Sequence, residues 1–183
     1  MSIMHCSLLS LGCAFGFSPY ADQRNLTGLR ALKIAQRRLR PEVRAKLLSV
    51  TSARSGANLT PEAWRFVFLD PATSGHCRIV TVAAKASSEH PDTVEAFSSI
   101  PTENVSSAHV ISQNKLQVDS EQALIQTRSA SKLKGIRAAE YRLSQGRSGQ
   151  EPVWMLTFFS ESSDPVAQIQ VGAKLGAVKI LQK

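Results

Sequence analysis

Residues able to do chemistry are scarce in this chain, and their spacing argues against a reaction. The four histidines are His5, His76, His90 and His109. No two of them stand at i, i+4, so they lack the spacing that sets two metal ligands on one helix face. His76 and Cys77 are neighbours, and adjacent residues of a strand point to opposite faces. A Cys77–His nucleophile pair would need a partner brought in by folding; packing is the simpler role for a lone strand cysteine. Asp70, Glu161 and Asp164 fall in turns after aromatic runs, where a carboxylate caps its own loop. Gly146-Arg147-Ser148-Gly149 lacks both the spacing and the Lys of a phosphate-binding loop. The expectation is therefore no catalytic residue, no cofactor-binding residue, no metal ligand and no cofactor.

What stands out instead is charge. The 183 residues carry a formal net charge of +8. Between Arg24 and Arg54 there are nine cations and one acid, Glu42, so this stretch holds the whole excess. Arg30, Lys33, Arg37, Arg38 and Arg44 are the candidate residues for contact with an acidic partner: nucleic acid, anionic lipid or an acidic protein. The alternative is a solvated helix face. No aromatics are interleaved with these cations, which weakens a single-stranded nucleic-acid reading.

The elements that must carry these residues follow from periodicity. Leu29, Leu32, Ala35 and Leu39 recur at helical spacing behind Thr27, a good N-cap. Pro41 either kinks this helix or opens a second one in its first turn. Strands are expected over 48–54, Ala63–Leu69, Cys77–Ala83 and Thr93–Phe97, with His109-Val110-Ile111 as a further short one. In Ala63–Leu69, the aromatics Trp64, Phe66 and Phe68 alternate and share a face. Asp119 caps a second helix running to Lys134, with Gly135 as its C-cap. Ile136–Leu143, Val153–Phe159, Val166–Val171 and Ala177–Leu181 follow as strands.

The second series repeats the first. Aligning Trp64 with Trp154, the two tryptophans of the chain, sets Phe68 on Phe158 and Ile79 on Ile169. Thr27 and Asp119 each stand four residues before an Ala-Leu pair, Ala31-Leu32 and Ala123-Leu124. Such a duplication dictates the architecture. The expected class is α+β: two repeated units, each one helix packed on a three- or four-stranded antiparallel sheet. The expected divisions are a leader over 1–21, a first unit over 22–97, a linker over 98–118 and a second unit over 119–183. Buried strand tryptophans are the leading reading; Trp64 and Trp154 on an open sheet face would instead make a binding surface.

Residues 1–21 have the length and apolar core of a secretory signal, with Ala21 before Asp22-Gln23 as the cleavage point. The n-region has no Lys or Arg, and Pro19 is a poor residue near the cut. Leu11-Gly12-Cys13 also fits a lipoprotein signal, making Cys13 a lipidation candidate. The alternative is a buried N-terminal segment of a cytoplasmic protein. The apolar run is too short and too broken for an integral membrane span. Removal of the leader would leave Cys77 as the sole thiol, with no intramolecular disulfide.

The second unit resembles a PepSY-type module. The matching residues are Asp119-Ser120-Glu121-Gln122-Ala123, Val153-Trp154-Met155-Leu156, Gln168-Ile169-Gln170-Val171 and Lys174-Leu175-Gly176-Ala177-Val178. The first unit matches through Ala31, Trp64 and Arg78-Ile79-Val80. The last strand keeps only Gly176 of the family's Asp-x-x-Thr-Gly. A cystatin-like helix wrapped by a sheet fits the same pattern. The resemblance implies a non-catalytic, exported bacterial binding or regulatory module, periplasmic or secreted, that inhibits a peptidase or binds another cell-envelope protein. The alternative is a binder of nucleic acid or another acidic surface through the basic first helix.

Overall fold

In the computed structural model, residues 26–85, 93–99, 110–131, 133–146, 150–161 and 164–182 are described. The leader, Cys13, His5, His90, His109, residues 147–149 and most of the linker lie outside them. The chain runs α1 (Gly28–Gln36), α2 (Pro41–Arg44), β1 (Leu47–Ser52), β2 (Ala63–Leu69), β3 (Cys77–Lys85) and β4 (Thr93–Ser99). A short 3₁₀ turn at Gln113–Lys115 leads to α3 (Ser120–Ala130). Then come β5 (Ala138–Ser144), β6 (Val153–Phe159), β7 (Pro165–Gly172) and β8 (Val178–Gln182). The class is α+β, with antiparallel strands and few helices. Pro41 opens α2 in its first turn and does not kink α1. Val110 and Ile111 form no strand.

The expectation of a separate sheet for each unit is not met. All eight strands join one antiparallel sheet, in the order β4-β3-β2-β1-β5-β6-β7-β8. The join is at β1 and β5, where Val50 faces Leu143 and Thr51 faces Arg142. Serine hydroxyls extend it beyond the ladder. Ser52 Oγ accepts from the Tyr141 N–H and Ser55 Oγ from the Ala139 N–H, both at 2.9 Å. One sheet avoids leaving β1 and β5 as two further edges with unpaired backbone groups.

The strands alternate, and one face carries the core: Val50, Phe66, Val80, Tyr141, Leu156 and Ile169 belong to it. α1 lies on β2 and β3, and α3 on β6, β7 and β8. Trp64 and Trp154 are fully buried, so the open-face reading of the tryptophans is overturned. Their rings meet edge to face, with centroids 6.0 Å apart, a favourable arrangement of aromatic quadrupoles. Register also corrects the alignment by one residue. Val80 faces Phe66 as Ile169 faces Leu156, whereas Ile79 faces Val67 on the other side of the sheet.

The helix starts are tied to each other and to the tryptophans. Trp64 Nε1 donates to the Leu26 carbonyl at 2.6 Å, and Trp154 Nε1 to the Val118 carbonyl at 2.8 Å. Each acceptor is the residue before an N-cap. Asp119 caps α3 in a capping box with Gln122. Its carboxylate also accepts from the Leu29 N–H at 2.9 Å and from Thr27 Oγ1 at 2.6 Å. Ser120 Oγ accepts from the Gly28 N–H at 2.8 Å. The Thr27 side chain makes no cap bond to its own helix; α1 is capped by residues of α3. A Cβ at Gly28 would sit 2.7 Å from the Trp154 ring and 3.3 Å from Trp64, so the junction leaves no room for a side chain there.

Candidate functional site

The basic stretch is divided by folding. Lys33, Arg37 and Arg38 are exposed on α1 and just beyond it. At that C-terminal end they complement the helix dipole. Arg30 is half-buried near the helix start. Arg44 is exposed too, with its Nε donating to the Leu39 carbonyl at 2.8 Å. Arg40, counted with the same run, pairs with Asp70 at 2.9 Å and with Glu42 at 3.3 Å.

Asp70 is the most buried carboxylate among the described residues, and its role is structural. Arg40 and Arg78 hold its two oxygens at 2.9 and 3.0 Å. The Ala72 N–H reaches Oδ1 at 3.3 Å, the loop-capping bond foreseen for a turn aspartate. Burial pushes this carboxyl up. The hydrogen bonds from Arg78 and Ala72, with the charges of Arg40 and Arg78, outweigh that and hold it below its usual value. His76 beside it is exposed at a φ of 51°, and Cys77 is a buried cysteine outside any disulfide. Tyr141 is likewise committed: its hydroxyl donates to the Leu59 carbonyl at 2.7 Å. Burial raises its pKa despite the opposing charge of Arg128.

Two of the concavities formed by described residues bear on function. One, of about 240 Å³, lies on the helix side between Leu59, Tyr141, Ser120 and Arg128. Two helix starts converge beside it, but Asp119 already accepts the Leu29 N–H of one and the Ser120 N–H of the other. The other, of about 480 Å³, lies on the sheet face opposite the core and is lined by Thr51, Glu140, Arg142, Met155, Thr157 and Gln168. Among the described residues no helix packs on that face. Glu140 there is paired with Arg54 at 3.0 Å, and the Arg54 guanidinium lies 3.6 Å from the centre of the Phe159 ring. This face was not singled out from the sequence. Its signal was the polar alternates of the strands, Arg65, Arg142, Thr157 and Gln168, which alternation assigns to one side.

No protein-family model, curated protein or solved structure matches the chain. Among the described residues, no three His, Cys, Asp or Glu are grouped to hold a metal ion. No described helix is long and apolar enough to cross a membrane.

Proposed function

We propose that this chain is an exported bacterial binding or regulatory module without catalytic activity. In this reading it is a tandem of PepSY-like helix-plus-meander units that holds another cell-envelope protein, a peptidase among them, on the open face of its sheet. One observation carries the reading. The described helices lie on a single face, and no described helix packs on the other, a strand surface with a concavity of about 480 Å³. Antiparallel sheets support such a one-sided arrangement.

Several features support duplication. Four consecutive neighbouring strands follow α1 and α2 in the first series and α3 in the second. Each tryptophan stands in the second strand of its series and bonds the carbonyl preceding its helix. Val80 and Ile169 hold the same register relative to those tryptophans. The absence of catalysis is supported by the commitment of Asp70 and Tyr141 to the fold. A second reading, an acidic surface such as nucleic acid bound by Arg30, Lys33, Arg37, Arg38 and Arg44, draws on the exposure of Lys33, Arg37 and Arg38. Arg44 is exposed as well, although its Nε is engaged by the Leu39 carbonyl.

The test is made in a bacterial host with the full chain carrying a photo-crosslinker at Gln168 on the open face or at Ser129 on the exposed side of α3. A protein adduct formed from Gln168 and not from Ser129, on a mature chain beginning at Asp22 or lipidated at Cys13, supports the reading. Unprocessed cytoplasmic protein that crosslinks to nucleic acid when the crosslinker is placed at Arg37 overturns it.

A further inference from the structure

Resting on that reading of the open face, we propose that its partner presents an acidic, extended protein segment laid across the strands, gripped by Arg65 and Arg142. The two arginines flank one residue. Thr51 on β1 stands opposite Arg65 on β2 and also opposite Arg142 on β5. The row continues in both directions: Arg65 faces Thr81, Arg142 faces Met155, Met155 faces Gln170, and Gln170 faces Lys179. One line of side chains thus crosses seven strands on the side away from the core.

At a strand spacing of about 4.8 Å, Arg65 and Arg142 stand roughly 10 Å apart, and Lys179 roughly 14 Å beyond Arg142. Both arginines are exposed, and neither has an ion pair among the described residues. Glu140 on this face is already engaged by Arg54. Among the side chains described there, these two cations have no carboxylate paired with them. Their mutual repulsion is weak at that separation in water and is further screened by salt, so the fold tolerates them without a counter-charge.

Guanidinium groups on either side of a small threonine suit carboxylates, which they bind in a bidentate fork. An extended chain places alternate side chains about 7 Å apart on one side, within reach of both arginine arms. Met155 next in the row offers an adaptable apolar contact. A nucleic acid is the less suitable occupant. Between Thr81 and Lys179 the row has no aromatic on which bases could stack, the register position opposite Thr81 being Phe97 on β4, and Phe159 at its margin is buried under Arg54.

The experiment uses the full chain and a fluorescein-labelled peptide of alternating Glu and Thr, with a Gln-for-Glu peptide and a single-stranded RNA of equal charge as comparators. Anisotropy should show binding of the Glu peptide and not of the Gln peptide. Arg65→Glu with Arg142→Glu should weaken it by about tenfold or more, with an unchanged melting curve because both side chains are at the surface. Lys33→Glu with Arg37→Glu should change it by less than about twofold, these cations lying on the other layer. No binding of the Glu peptide, equal loss in the two double variants, or tighter binding of the RNA overturns the proposal. A protein adduct at Gln168 that survives Arg65→Glu with Arg142→Glu would overturn the acidic-segment assignment alone. Loss of any adduct at Gln168 in the unaltered chain would remove the binding face itself.

Discussion

Asp70 takes one arginine from the segment before α2 and another from β3, so a single carboxylate fastens three parts of the first half. Arg40 and Arg78 both retain access to water, so losing the charge strands neither in an apolar interior. Asp70→Asn should therefore cost about 1.5–3 kcal/mol, the range for hydrogen bonds to charged groups, and not the larger loss of a fully buried pair. The pH dependence follows from the downward shift. In the unfolded chain the carboxyl titrates near about 3.9, and in the folded chain below that. Its contribution is complete above about pH 4 and is lost as pH falls through the folded value. Urea melts at pH 7 and pH 2.5 test this: the gap between wild type and variant should narrow at the lower pH, and a constant gap would refute the linkage. Only the local half of this site was legible in the sequence. Asp70-Pro71 and Ser74-Gly75 identify a turn, and the Ala72 bond is its ordinary chemistry. Arg40 and Arg78 are brought in by folding, which is why Arg40 counts as a free cation in the sequence alone.

At the scale of elements, periodicity recovers most of the ladder. Ala63–Leu69 and Val153–Phe159 have the expected bounds because bulky residues alternate there without Gly or Pro. α3 ends at Ala130, short of Lys134, since nothing local distinguishes its last turn from the loop after it. Thr27 and Asp119 are both N-caps, yet the hydrogen bonds are exchanged between helices, and no local pattern encodes that. The exchange has a measurable consequence. One ordinary cap contributes about 1 kcal/mol. Asp119 serves the Ser120 and Leu29 N–H groups and the Thr27 hydroxyl together, so Asp119→Ala should cost roughly 2–3 kcal/mol. A double-mutant cycle with Thr27→Ala should show a coupling of about 1 kcal/mol. Strictly additive effects would mean that the carboxylate stabilises α3 alone.

Across the whole molecule, the join between β1 and β5 decides how the chain unfolds. Two small units of roughly 65–75 residues would each be marginal by surface-to-volume scaling, and the structure gives them one sheet and one core. That core is closed at the place where the halves touch: Trp64 packs on Trp154 and, with centroids 5.8 Å apart, on Tyr141. Ile111, in the segment between the halves, is buried and donates its N–H to the Leu47 carbonyl at 2.7 Å, so even this connection is part of the packing. The join pairs residues about 90 positions apart, and alternation within each strand carries no information about so distant a neighbour, which is why separate sheets were the natural expectation. A shared core requires shared stability. Tryptophan emission and far-UV circular dichroism should therefore report one urea transition with a common midpoint. Ser52→Ala with Ser55→Ala, which strips two hydroxyl bonds from the seam, should lower that midpoint by the equivalent of about 1–3 kcal/mol and leave the transition single. Fragments 22–97 and 119–183 made separately should lack a cooperative transition, because each loses its seam partner and half of the tryptophan contact. Two resolved transitions in the intact chain, or a folded isolated half, would mean that the seam joins independent domains.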